Sequence, residues 1–152
     1  RDFCLSRGLG DVYKRQDAIR SLKDAGLTVV LTTGFAPVTR DALIDGLGWN
    51  GLVDLALSPV DAGRGRPAPD LVLTALIRTQ TSSVASVAVA GDTVSDVESG
   101  RRAGAGFVAG VLTGAHDSSA LELAGADAVL ADVTHLHSAL AERGLLPLVP
   151  TA

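Results

Sequence analysis

Five short apolar runs constrain the fold of this chain more than any other feature. "TVVLTT" (Thr28–Thr33), "LVDLALS" (Leu52–Ser58), Ser86–Ala90, "GFVAGVLTG" (Gly106–Gly114) and "ADAVLAD" (Ala126–Asp132) each have the length of a strand. Helical patterns lie between them. Strands that alternate with helices argue for βα units, and so for a parallel sheet covered on both faces. "TVVLTT" is β-branched and apolar on both sides, as a strand buried twice over should be. Before it, "DAIRSLKDAGL" sets Ile19, Leu22 and Ala25 at helical spacing and stops at Gly26. Further helices are predicted over "VTRDALIDGLG" with Thr39 as N-cap, and over "PDLVLTALIRT" entered through Pro69. Others run from about Ser95 to Ala103, over "SSALELAG" and over "VTHLHSALAERG". "SPVDAGRGRPAP" (Ser58–Pro69) keeps no period and is expected to be a loop.

With 152 residues the chain can build one α/β domain with a sizeable core. Its hydrophobic share of 47% comes mainly from Ala, Val and Leu. No run reaches the roughly 18 apolar residues that a membrane span needs, and no secretory signal pattern is visible. A cytoplasmic protein without a membrane partner is expected. The net charge of −4, with no dense basic cluster, argues against a nucleic-acid surface.

Residues 1–16, "RDFCLSRGLGDVYKRQ", differ in composition from the rest. They hold the only Cys and the only Tyr, and the chain has no Met. "DVYKRQ" looks like a transposon end from sequencing-library preparation read through as protein, so this leader is expected to be non-native. The remainder is expected to be the C-terminal piece of something longer, residues 17–145 forming its domain and 146–152 a flexible tail. Without the leader the chain holds nine basic and fifteen acidic residues and no cysteine. Disulfide and thiol chemistry are then excluded.

The chemistry concentrates after three of the strands. In an open α/β sheet, ligands sit outside the carboxyl ends of the strands, so residues distant in sequence can converge there. Thr33 and Gly34 end the first strand, Arg66 lies in the loop after the second, and Asp92 and Asp96 follow the third. A strand-end carboxylate such as Asp92 suits magnesium, which takes one or two protein carboxylates and keeps several waters. Asp96, at the start of a helix, can brace that ligand or its waters, or merely favour the helix N-terminus. Arg66 offers a permanent cation for a phosphate, Thr33 a hydroxyl, and Gly34 an amide that an anion can approach closely. Metal, cation, hydroxyl and amide together would form an anion-stabilising cage. His116 is read as a loop residue near the site, His135 and His137 as helix surface.

The segments "VVLTTGF", "GRGRPAPDL" and "VAGDTVSDVESGRRAGA" resemble the haloacid dehalogenase (HAD) superfamily, specifically its phosphonatase-like branch. The resemblance spans nearly all of Asp17–Leu140 and implies a three-layer, Rossmann-like α/β core. It assigns Thr33 to the second family motif, Arg66 to the third, and Asp92 and Asp96 to the acidic fourth. Asp92 is then the direct Mg2+ ligand, and the substrate a small phosphorylated or phosphonate molecule. The first motif, an Asp-x-Asp strand carrying the nucleophile, is absent, as is the helical cap that selects substrate. Its strand is expected at the sheet centre, beside those bearing Thr33 and Asp92, so the core should be incomplete and the piece inactive by itself. The implied reaction passes through an aspartyl-phosphate. A phosphomutase of the β-phosphoglucomutase type shares the same three motifs. A non-catalytic binding module would not need Arg66 in a GRPAP loop. A homodimer is left open for the intact parent.

Overall fold

The computed structural model describes residues 9–114 and 116–147. Helix α1 (Leu9–Asp24) leads into β1 (Val30–Thr32), α2 (Pro37–Leu47) and β2 (Leu55–Leu57). A short α3 (Pro59–Ala62) and α4 (Asp70–Arg78) come next, then β3 (Ala88–Gly91), α5 (Val94–Ala103) and β4 (Phe107–Val111). Helix α6 (Ser118–Leu123), β5 (Ala128–Leu130) and α7 (Leu136–Glu142) complete the order. Among the described residues every pairing is parallel, and the strands form two sheets, β1–β2 and β3–β4–β5. The alternation read from the sequence thus appears as an α/β fold with parallel sheets.

Strand β4 is the centre of its sheet and is buried along its whole length. Its Gly110 is needed for packing rather than for a turn: a Cβ there would come within 2.9 Å of Leu121 Cδ1 on α6. Val97, Val108 and Leu121 close that side of the core without measurable exposure. On the other side α1 and α7 bury Ala18, Leu22, Leu136 and Leu140 against Phe107 and Ala109. Trp49, locked behind α2, anchors a separate cluster with Ile19, Leu31 and Ile44.

Two local expectations are corrected. Helix α2 begins at Pro37, not after Thr39; its N-cap is Ala36. Proline has no N–H to lose and its φ is preset for the first helical position, so the helix starts two residues before Thr39. The stretch expected to be loop contains α3, which Pro59 also enters, with Asp61 accepting the Ser58 N–H at 2.8 Å. That S-x-x-D spacing is a capping signal visible in the sequence. Helix α1 runs continuously through residue 16, with Arg15 buried in it. Residues 1–8 of the expected leader, and 148–152 of the expected tail, lie outside the described residues.

The two sheets part between β1 and β3. A cleft of about 210 Å³ separates them, lined by Val30–Thr32 and Ala88–Ala90 and floored by Ile19, Leu22, Val72 and Leu76. The Thr33 N–H binds Leu57 O on β2 (3.1 Å), so by alternation the Thr32 and Val30 positions turn the other way, toward the cleft. Val87 O receives Gly106 N–H from the β4 side at 3.0 Å, which turns Ala88 and Ala90 toward the cleft likewise. Hydrogen exchange should show this edge. Amides of Val30, Thr32, Ala88 and Ala90 are expected to exchange about tenfold or more faster than those of Val108 and Gly110. Equal protection would mean that the two sheets are joined in solution.

Candidate active site

The site is built where β1 and β3 end. Thr33 directly follows β1 and is 5% exposed; its Oγ1 accepts the Phe35 N–H at 3.2 Å, folding the chain into a tight hydroxyl-braced turn. Gly34 then stands beside the loop from β2, for a Cβ built on it would lie 3.6 Å from Arg66 Nη2. Arg66 reaches across to α5, where its Nη1 donates to Asp96 Oδ1. Asp92, 6% exposed, follows β3 on the same side. A continuous chain of neighbours therefore links Thr33 and Gly34 to Arg66, Asp96 and the turn of Asp92. These are the residues singled out from the sequence, and the fold brings them to one end of the sheets.

Asp96 does more than the sequence suggested. It is the N3 residue of α5: its N–H donates to Thr93 Oγ1 (3.2 Å) while its Oδ2 accepts the Thr93 N–H (3.1 Å). With Oδ2 in this capping box, Oδ1 meets Arg66. Gly91 makes room for the side chain, because a Cβ at that position would overlap it. The glycine that ends β3 is thus a packing requirement of the site and not simply a turn residue. At the other end, Gly104 closes α5 in the left-handed region (φ 83°), and Arg101 and Arg102 sit favourably in its last turn.

The loop carrying Arg66 is fastened at several points. Ser99 Oγ donates to Ala68 O at 2.8 Å, and Arg64 pairs with Asp70 at 2.7 Å. Its start is held by Arg40 of α2, which donates to Asp61 Oδ2 (2.7 Å) and Ser58 Oγ (3.3 Å). The Ser58 N–H, and then Arg40, hold the Asp61 carboxyl below the usual carboxylate range. Arg40, Ser58 and Asp61 were not picked from the sequence; only the S-x-x-D spacing pointed to two of them. His116 lies at the same end, its Nδ1 accepting the Val94 N–H at 2.8 Å.

The sequence and fold are similar to those of known proteins. The sequence profile of the haloacid dehalogenase-like hydrolases matches residues 13–104. The chain belongs to that family. Phosphonoacetaldehyde hydrolase from Parabacteroides distasonis is 28% identical over 107 residues, which make up 70% of this chain and 40% of that protein. Among solved structures, a HAD family hydrolase from Deinococcus radiodurans with bound phosphate and sodium superposes with a TM-score of 0.76 at 28% identity. That match covers 90% of this chain and 61% of the Deinococcus one. A phosphonoacetaldehyde hydrolase-like protein from Oleispira antarctica superposes with a TM-score of 0.74 at 25% identity, covering 87% and 57% of the two chains. The haloacid dehalogenase-like chain described here thus spans less than two thirds of the length of these relatives. Among its described residues, no helix is long and apolar enough to cross a membrane.

Two stability outcomes are expected from the site. In Asp96→Ala, Arg66 loses a buried partner and α5 the Asp96 half of its capping box; a loss of about 3 kcal/mol is expected from urea unfolding. Asp61→Asn should cost about 1 kcal/mol at neutral pH. The sign for pH comes from the depressed carboxyl of Asp61: its contribution is full above the unfolded value and disappears as pH falls through the folded one. The acid limb of stability below about pH 4 should therefore flatten in Asp61→Asn, as unfolding midpoints at neutral and acid pH would show.

Proposed function

We propose that the intact protein is a magnesium-dependent hydrolase of a small phosphorylated or phosphonate compound. The observation that carries this reading is the convergence of Thr33, Gly34, Arg66 and Asp92 at the carboxyl ends of two parallel strands. Thr33 and the Gly34 amide are suited to phosphoryl oxygens, and the Arg66 guanidinium to the same anion, held in place by Asp96. Its planar fork of five donors matches the geometry of a phosphoryl group.

The residues present fit a magnesium ion. Asp92 is a largely buried carboxylate at a strand end, whereas both oxygens of Asp96 are already engaged by Arg66 and the Thr93 N–H. No group of three or more Asp, Glu, His or Cys forms a metal cluster among the described residues. Magnesium does not need one, since a substrate phosphate and waters complete its shell. When bound by Asp92, the ion would neutralise charge on the phosphoryl oxygens.

The attacking carboxylate would come from a strand seated in the cleft between β1 and β3, whose end would open between Thr33 and Asp92. It would attack phosphorus and form an aspartyl-phosphate as the bond from phosphorus to the organic group breaks, the departing group keeping the electron pair and taking a proton from solvent. Water would then attack the aspartyl-phosphate, free phosphate and restore the carboxylate. The same site would serve a phosphomutase, a reading favoured by a β-phosphoglucomutase-like protein from Thermotoga maritima that superposes with a TM-score of 0.74 at 25% identity.

The test measures phosphate release from p-nitrophenyl phosphate and phosphonoacetaldehyde with magnesium present. The 152-residue chain alone should release no more than its Thr33→Ala/Asp92→Asn double variant. Fused to an upstream strand ending in aspartate, the chain should turn over, and Asp92→Asn or Arg66→Ala should lower kcat by about a hundredfold or more. Full activity in fused Asp92→Asn would overturn the reading.

A further inference from the structure

The loop that leaves β4 closes on the turn carrying Asp92 from two sides. Gly114 packs against it so tightly that a Cβ would come within 2.8 Å of Asp92 O and 3.0 Å of Asp92 Cβ and Cγ. Two residues later, His116 accepts the Val94 N–H through Nδ1 at 2.8 Å. Val94 opens α5, so its N–H is among those with no partner inside the helix. The capping box takes care of the Asp96 N–H, and His116 takes care of this one. The chain from Gly91 to Val94 is consequently held at both ends, by strand pairing at β3 and by an imidazole at α5.

We infer that His116 is a positioning residue of the site: its Nδ1 fixes the α5 end of the Gly91–Val94 turn and thereby sets where the Asp92 carboxylate stands. The inference rests on the reading of Asp92 as the magnesium ligand. It also assigns a tautomer. A neutral imidazole that accepts at Nδ1 carries its proton on Nε2, and among the described residues that nitrogen has no hydrogen-bond partner. His116 thus supports the turn with one nitrogen and keeps a donor on the other at the strand ends.

The test uses the full chain with Mn2+ as a paramagnetic probe in place of magnesium. Long-range 15N–1H spectra at about pH 8, where an ordinary imidazole is neutral, should show Nε2 protonated and Nδ1 bare. The Nδ1-protonated form would overturn the inference without any variant. Mn2+ should broaden the amide signals of Gly91 to Val94. In His116→Ala the Mn2+ concentration needed for the same broadening should rise about tenfold. His116→Asn, whose Oδ1 can take the place of Nδ1, should recover most of that loss, whereas His116→Phe should not. A purely structural role would instead follow the thermal melt of each variant. If Asp92→Asn abolishes the broadening while His116→Ala leaves it unchanged, this inference falls alone. If Asp92→Asn leaves it unchanged, the metal reading falls and takes this inference with it.

Discussion

The ion pair between Arg66 and Asp96 is the interaction on which the site depends. The two sheets do not pair with each other among the described residues, so no backbone ladder sets the end of β1 against the end of β3. Arg66 belongs to the loop after β2 and Asp96 to the helix after β3, and their contact spans the break. The side chains are 13% and 3% exposed. At that depth a lone charge costs several kcal/mol of desolvation, so each partner fixes the other. Surface pairs such as Arg102 with Glu98 have no comparable hold, because water screens them and their side chains lose freedom to meet.

Asp96 can play this part only because the helix start and the strand end are both shaped around it. One oxygen belongs to the capping box, the other to Arg66, and Gly91 clears the space between. The same carboxylate therefore starts a helix, holds a cation and sits four residues from a candidate metal ligand. Removing it would disturb stability and chemistry together. Asp92 differs, since its turn is shaped by Gly114 and His116 from outside. The two aspartates of one motif are thus held by different parts of the chain.

Much of this was legible in the residues. The alternation of apolar runs with helical patterns announced parallel β/α units, and strand ends pointed to Thr33, Arg66, Asp92 and Asp96, because strand direction decides where a parallel sheet can offer side chains. Family membership rests on a match over residues 13–104, the part of the chain that carries those residues. Pairwise contacts were not legible. Nothing local in "GRGRPAP" says that Arg66 meets a carboxylate thirty residues away. Likewise, a histidine after "LTGA" carries no sign that its ring will reach a helix start 22 residues earlier. Such contacts are products of tertiary packing. Proline entries were the opposite case: the signals at Pro37 and Pro59 lay in the sequence and outweighed the readings given to Thr39 and to the loop.

The cleft and the site share a border, and this joins fold to chemistry. β1 ends in Thr33 and β3 in Gly91 before Asp92, and these are the two strands whose second edges face the cleft. Parallel sheets are ordinarily buried on both faces and paired on both edges near their centre. Here the walls are those of a sheet interior: Val30, Leu31, Val89 and Ala90 line the space, with Ile19 and Val72 beneath. An extended apolar segment placed there would join the two sheets into one and bring its carboxyl end between the hydroxyl of Thr33 and the carboxylate of Asp92. The geometry that turns two strand edges toward one cleft therefore also defines the direction from which a reacting group could enter. Arg66 with Asp96 ties the loop after β2 to the helix after β3, and so joins the two sides at the end where that cleft opens.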